Sequence, residues 1–557
     1  MSQSMDFKSD TARPKPASDP VTTEVIGSAL ISIVEEMAKA IIKSAYSTNI
    51  KEREDCSTVI FDRKGQIIAQ AERIPVHLGS LLGIADWVLT NVDLSTVEPG
   101  DVFIGNDAYT GGGTHLNDIV FMEPVFYDGE LVAWISNLAH HSDFVDRGHA
   151  HIFQEGLRIP PVRLYRAGVL QQDILDFVLL NCQVPHERRN DFRAQMAANR
   201  LGVQRYIALC QKYGEGVVSA ASDEILDYAD RKTRSGIAQI ANGTYAYECT
   251  FDTPSYEPDL HLKVKVTITD DEMHFDLRDN PKQVRAGVNM VYTATLATVY
   301  FAVKALVDPD IPPNAGFHRA IHVDAEKGTV FNSESPGAVY TRTDIGQRLV
   351  DMILAALAPA IPERICSASS GGGLMTFSGT HPRTGKFFVY NEMCGGSMGA
   401  RATKDGLDGV QVHTTNTGNI PIEALEYEHP VMVERYELVT DSGGAGQWRG
   451  GMTIRRQVRL VGDEATINVG GTLTRNAPWG LFGGQDGRTT NVELGEGVAP
   501  LQQRRGTLSD GQSVAMVAAS GGGYGDPKKR DRDLVRRDLK EGRISLEAAR
   551  TVYGLDV

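Results

Sequence analysis

Two apolar runs, residues 119–126 and 131–138, stand on either side of Asp128-Gly129. An Asp-Gly pair between two such runs is a strong short-range signal for an antiparallel hairpin. No other feature constrains the surrounding chain as tightly. A hairpin sets the residues that precede its first strand beside those that close its second. Before the first strand stands "GGGTHLND", Gly111 to Asp118, and the second runs into "LAHHSD", Leu138 to Asp143. The hairpin therefore predicts that His115 and Asp118 meet His140, making one site from two separated runs.

Imidazole and carboxylate suit divalent transition metals, and catalytic sites commonly combine three protein ligands with an open position. His115, Asp118 and His140 could form such a set. His141 and Asp143 could ligate too, or orient the ring nitrogens from behind. Polar strand-end residues hydrogen-bonded to loops fit the same spacing, so both readings stay open here. His149 and His151, in "RGHAHIF", fit one strand face and read as structural. "NIKERED", Asn49 to Asp55, could place Glu52 or Asp55 in a site, or run as a solvated loop. His77, in "AERIPVHLGS", precedes a helix; it could carry protons or touch substrate, and a satisfied helix-start histidine accounts for it equally well.

Around this centre the chain alternates between two periodicities. Residues 1–18 are polar and Pro-rich, expected to form a disordered tail. Asp19-Pro20 then opens a helix over about 21–46, with Val25, Ile26, Ala29, Leu30, Ile33, Val34, Met37 and Ile41 at helical spacing. That apolar face is buried in its own domain or against a partner. Residues 55–70 predict a hairpin turning at 62–65, residues 79–92 a helix, and residues 99–107 a strand. Helical spacing covers about 167–241, strands 244–278, and two buried helices 289–307 and 345–359. From 365 to 525 glycines are dense and short strands are expected. Two short charged helices close the chain. The whole reads as a multidomain α+β protein with mixed, largely antiparallel sheets, helices, and a glycine-rich, β-rich C-terminal half. The expected divisions are a tail (1–18), a metal-bearing α+β domain (19–241), a middle α+β domain (242–364), a glycine-rich β domain (365–527) and a helical tail (528–557).

Bulk properties exclude several classes. With 56 basic and 71 acidic residues the net charge is −15, against nucleic-acid binding. No two of the six cysteines form a CxxC, so no zinc ribbon or redox pair is expected. The start is no secretory signal, and no run approaches the roughly eighteen apolar residues of a membrane span. A cytoplasmic protein with free thiols is expected. "SSGGGLMTF" and "NEMCGGSMGAR" carry glycines that let amides approach an anion. Neither is a phosphate loop, and "GTHPRTGKF" has the wrong spacing for one. No GxGxxG follows a strand, and no strand-to-helix GxSxG elbow is expected.

The stretches "DPVTTEVIGSALISIVEEMAKAIIKSAYSTNIKERED", "GNDAYTGGGTHLNDIVF", "LAHHSD", "IFQEGLRIPPVRLYR", "ERRNDFRAQMAANR", "NTGNIPIEALEYEHPVMVERYELVTDSGGAGQWRGG" and "GGGYGDP" occur in an order and at spacings that resemble the hydantoinase B/oxoprolinase family. The resemblance runs from about Asp19 to the end. It implies an A-type partner subunit that binds ATP and Mg2+ and phosphorylates the substrate oxygen, which explains the missing phosphate loop. It implies a divalent metal, Zn2+ or Mn2+, on His115, Asp118 and His140, with His141, Asp143 and His77 as candidates to manage protons. It suggests an A2B2 heterotetramer opening a lactam or hydantoin ring. The loop after "LAHHSD" departs from the family's glycines, reading "FVDRGHAH"; this makes His149 and His151 candidates for specificity. The same resemblance leaves two alternatives: the α-type subunit of an ATP-dependent ketone carboxylase, and a non-catalytic scaffold subunit.

Overall fold

The computed structural model describes residues 19–71, 73–143, 149–253 and 257–556. The expected tail and residues 144–148 of the altered loop lie outside the described residues. Three layered bodies position the site.

The first is a seven-stranded antiparallel sheet. Its strands are β1 (Cys56–Asp62), β2 (Ile67–Gln70), β3 (Val102–Gly105), β4 (Asp118–Tyr127), β5 (Glu130–His140), β6 (Val162–Arg166) and β7 (Val169–Leu170). They lie in the order β2-β1-β5-β4-β3-β6-β7. Both faces are covered, so alternate residues of each strand enter different cores. Cys56, Ile60, Ile135 and Ala139 join helices Pro20–Ser44 and Pro185–Tyr213. Val59, Phe61, Trp134 and Leu138 join helix His77–Asn91. The Asp19 carboxylate starts the first helix by accepting from the Val21 and Thr22 amides, at 3.0 and 3.1 Å. Its apolar stripe packs into this chain's own core, except that Val25, at the stripe's edge, is 45% exposed. The strand expected over 99–107 is confined to Val102–Gly105, because Asn106 and Asp107 leave the ladder to hold a loop at Ile159.

The second body is a mixed sheet of β8 (Gly243–Phe251), β9 (Leu260–Thr269), β10 (Glu272–Asp276) and β11 (Ile321–Asp324), ordered β11-β10-β9-β8. Only β10 and β11 pair in parallel. Leu260, Leu262, Val264, Val266 and Ile268 alternate inward under helices Tyr292–Val307 and Arg342–Leu357.

The third is a sandwich of antiparallel sheets. Its strands are β12 (Gly372–Thr380), β13 (Phe387–Ser397), β14 (Asp408–Val410), β15 (Val431–Leu438), β16 (Ile454–Leu460), β17 (Glu464–Gly471), β18 (Asn491–Leu494), β19 (Arg505–Ser509) and β20 (Ser513–Val517). The sheets are β14-β13-β12-β17-β19 and β15-β16-β20-β18. Phe377, Tyr390 and Ile467 of one meet Val458, Val514 and Met516 of the other. The two glycine stretches noted for anion binding are β12 and β13, paired Gly372 to Gly395, so their amides serve the sheet. A helix at Ile422–Glu428 was not foreseen in this segment. Helices Arg532–Lys540 and Leu546–Thr551 close the chain. Among the described residues no helix is long and apolar enough to cross a membrane.

A candidate metal centre in a three-walled cleft

The hairpin's register creates the site. Asp118, first in β4, lies directly opposite His140, last in β5. Both point to the side of the sheet that carries helix His77–Asn91. The loop before β4 folds so tightly that a Cβ on Gly113 would stand 2.1 Å from the Asn106 carbonyl oxygen. Asn106 holds that loop, its amide donating to the Leu116 carbonyl at 2.7 Å. His115 is thereby turned back onto Asp118. Each of His115, Asp118 and His140 offers an atom, all within 4.8 Å of one another.

Proton positions decide whether this set suits a cation. His115 Nδ1 lies 3.1 Å from the Tyr340 carbonyl oxygen, which can only accept, so Nδ1 carries the hydrogen. Burial, with the charge of Arg342 added, lowers the His115 pKa and leaves the ring neutral. Nε2 then presents a lone pair 2.9 Å from Asp118 Oδ1. Burial opposes ionisation of Asp118, but the carboxyl is held well below its usual range, with the Arg342 guanidinium beside it favouring the charged form. Two acceptors at this distance repel unless a cation lies between them. His140 is also neutral, because burial holds its pKa well below the usual imidazole value. Two neutral imidazoles and a carboxylate fit a divalent ion.

A second group surrounds this set. Arg342 Nη2 donates to Asp118 Oδ2 at 2.7 Å and its Nε to Thr114 Oγ1 at 2.9 Å. His77 Nε2 lies 3.4 Å from Asp55 Oδ1 and 3.9 Å from Asp118 Oδ1. Facing two carboxylates, Nε2 carries the proton, and Nδ1 accepts from the Ser57 hydroxyl at 2.9 Å. Burial pushes the His77 pKa down to about 4, so the ring is neutral. Burial pushes the Asp55 carboxyl up to about 7. Asp55 Oδ2 is 3.8 Å from His140 Nδ1. Asp55, His77, His115 and His140 line one wall of a cleft; Tyr340 to Asp344 form the second, and strand ends of the sandwich form the third.

The remaining candidates lie elsewhere. His141 follows His140, so its side chain takes the opposite face of the sheet. Its Nε2 donates to Gln195 Oε1 at 3.0 Å and its Nδ1 accepts from Arg188, against helix Pro185–Tyr213. Asp143 is on that side too, accepting from the Gln183 amide at 2.9 Å, with Arg188 Nε 3.5 Å away. The fold does not bring this pair into the cleft with His115. Glu52 is a half-buried residue 3.9 Å from the Lys51 ammonium. His149 stacks on Tyr340, centroids 4.1 Å apart, behind the carbonyl that holds His115. His151 packs edge-on against Phe153.

Sequence reasoning missed Arg342, which lies 224 positions from Asp118. One signal existed. A cation in the first turn of a buried helix opposes the helix dipole, so its presence calls for a carboxylate partner. In "NIKERED" it is Arg53 and Asp55, not Glu52, that line the cleft.

The hydantoinase B/oxoprolinase family model matches residues 19–527, and the chain belongs to that family. It is 32% identical to the beta chain of caprolactamase from Pseudomonas jessenii, over 96% of each chain. It is 30% identical to a protein assigned as the B-type component of a D-/L-hydantoinase in Pseudomonas strain NS671, over 97% of this chain and 95% of that one. The crystal structure of ATP-dependent caprolactamase from Pseudomonas jessenii superposes with a TM-score of 0.88 at 29% identity, covering 97% of both chains. A nucleotide-free acetone carboxylase shares the fold, with a TM-score of 0.87 at 17% identity over 97% of this chain and 80% of that one.

Proposed function

We propose that this chain is the B-type component of an ATP-dependent cyclic amide hydrolase. It opens a lactam or hydantoin ring whose carbonyl oxygen has been phosphorylated by an ATP-binding A-type partner. The observation that carries the reading is the His115–Asp118–His140 set in its cleft, within a chain that aligns end to end with caprolactamase and hydantoinase components.

In this reading His115, Asp118 and His140 hold one Zn2+ or Mn2+. When bound, such an ion supplies Lewis acidity and lowers the pKa of water toward ~7. The chain's own groups do the rest. Tyr340 fixes the His115 tautomer through its carbonyl. Arg342 and Thr114 hold Asp118 in place. Asp55 is the group that takes or returns a proton at the reacting atoms, and His77, seated on Ser57, keeps its carboxyl aimed. His141 and Asp143 act from behind, through Gln195, Arg188 and the Gln183 amide, to fix the end of β5. The A-type partner, an A2B2 assembly and a cytoplasmic setting belong to the same proposal.

The test is co-expression with an A-type partner and a screen of lactams and hydantoins for ATP-dependent ring opening. Activity that disappears in His115→Ala supports the proposal. Substrate-dependent bicarbonate consumption without ring opening would make the chain part of a carboxylase. Full activity of His115→Ala in the complex would make it a scaffold.

A further inference from the structure

The cleft's third wall includes a two-residue turn at the start of β19, closed by Gln502 and Arg505, which exchange backbone hydrogen bonds of 2.8 and 2.9 Å. Its central residues, Gln503 and Arg504, have φ of 51° and 71°. Turns of this kind need positive φ at both centres and normally hold Asn, Asp or Gly there. A glutamine and an arginine in that conformation are strained. The strain is locked in, because the Val469 amide donates to the Arg504 carbonyl at 2.9 Å. The facing strand has made room as well. The Arg504 stem lies across Gly470, where a Cβ would come within 2.8 Å of Arg504 Cδ. Sequence and backbone together deliver a guanidinium to the cleft that holds His115 and His140.

Among the described residues that guanidinium is uncommitted. Arg53, on the same cleft, donates to Asn49, Asn391, Gly418 and Thr417. Arg342 serves Thr114 and Asp118. Among the described residues no acceptor or ion-pair partner binds the Arg504 side chain; Asp344 feels its charge without forming an ion pair. A planar, permanently charged fork aimed into a cleft matches a phosphoryl group, which it can bind through two parallel hydrogen bonds.

We infer that Arg504, projected by its strained turn over Gly470, is the receptor for the phosphoryl group of the activated substrate. The inference rests on the hydrolase reading for the identity of the anion, and on the turn's geometry for its place. It makes Arg504 a binding residue that sets the phosphorylated species in register with the His/Asp set.

Inorganic phosphate is the direct probe, titrated calorimetrically into full-length protein treated with chelator, so that bound metal does not contribute. Arg504→Gly should weaken phosphate binding at least about tenfold, the loss of a charge-assisted pair. Because glycine relieves the turn, its melting temperature should equal or exceed that of the wild type. Arg504→Lys should fall between the two in affinity. In the complete complex with ATP and a lactam, Arg504→Gly should continue to hydrolyse ATP while ring opening falls at least about tenfold. No phosphate binding by the wild type, or equal binding by Arg504→Gly, overturns the inference. A lower melting temperature with unchanged phosphate affinity would make Arg504 structural, and overturns it too. Acetate binding as tightly as phosphate, with the same dependence on Arg504, would show a carboxylate site instead and overturn the phosphoryl assignment. Phosphate binding needs neither partner nor lactam, so failure of the lactam screen and failure of this inference are separate results.

Discussion

Removing Arg342 should cost stability in a way that depends on whether a metal is bound. Asp118 is fully buried and Arg342 nearly so, with Nη2 and Oδ2 2.7 Å apart. Two unit charges about 4 Å apart interact by about 4 kcal/mol at an effective dielectric of about 20. Breaking a buried pair from one side costs about 3–5 kcal/mol, because the remaining charge has no compensation. Arg342→Met keeps the volume and removes the charge, so that cost should appear in full in metal-free protein. A divalent ion on Asp118 supplies the missing positive charge, and loaded Arg342→Met should recover most of the loss. The assay is denaturant or thermal unfolding of wild type and variant, each with excess Zn2+ or Mn2+ and with chelator. The gap between the proteins should be several kcal/mol in chelator and should shrink by at least half with metal. An equal gap in both conditions would refute the electrostatic link between Arg342 and the His/Asp set.

Other outcomes follow from the same geometry. Asp55→Asn should retain metal yet lower kcat by roughly 100-fold or more, as expected for loss of a positioned proton carrier; an unchanged kcat would remove Asp55 from the chemistry. His141→Ala should also keep its metal, because the side chain faces away from the cleft, but should lose about 1–3 kcal/mol of stability by stranding Gln195 and Arg188; metal loss in this variant would contradict the strand parity. Glu155 accepts from the Val339 and Tyr340 amides at 2.8 Å each, and burial pushes its carboxyl up to about 8. A raised folded pKa means stability is complete below the unfolded value of about 4.5 and declines as pH rises through about 8. Glu155→Gln keeps both amide contacts and cannot ionise, so its stability should fall less than the wild type's over that window, the gap opening between about pH 4.5 and 8; parallel curves would refute the assignment.

The strand hairpin was legible because its information is local. Asp128-Gly129 sets the turn, the flanking runs set the register, and the register alone puts Asp118 beside His140. The same parity would have sent His141 to the other face, since adjacent residues of a strand point opposite ways; treating "HHSD" as one cluster concealed this. The first helix was equally plain, with a capping aspartate, a first-turn proline and seven buried residues at helical spacing. What stayed hidden depends on tertiary contact. Arg342 reaches Asp118 across 224 residues, and Tyr340 acts through a backbone carbonyl, which leaves no mark on residue type. Arg504 stands in the right place because of a strained turn, and two non-glycine residues give no local sign of one. The glycine-rich stretches misled in the opposite way: their amides are spent on the β12–β13 ladder.

The central claim is that His115, Asp118 and His140 hold a divalent ion. Elemental mass spectrometry on purified wild type, His115→Ala and Asp118→Ala tests it most directly. The account predicts near-stoichiometric zinc or manganese in the wild type and its loss in both variants, with His141→Ala unchanged. A wild type without metal after expression in metal-supplemented medium, or an Asp118→Ala protein that keeps it, would contradict the account and leave the cleft without its proposed chemistry.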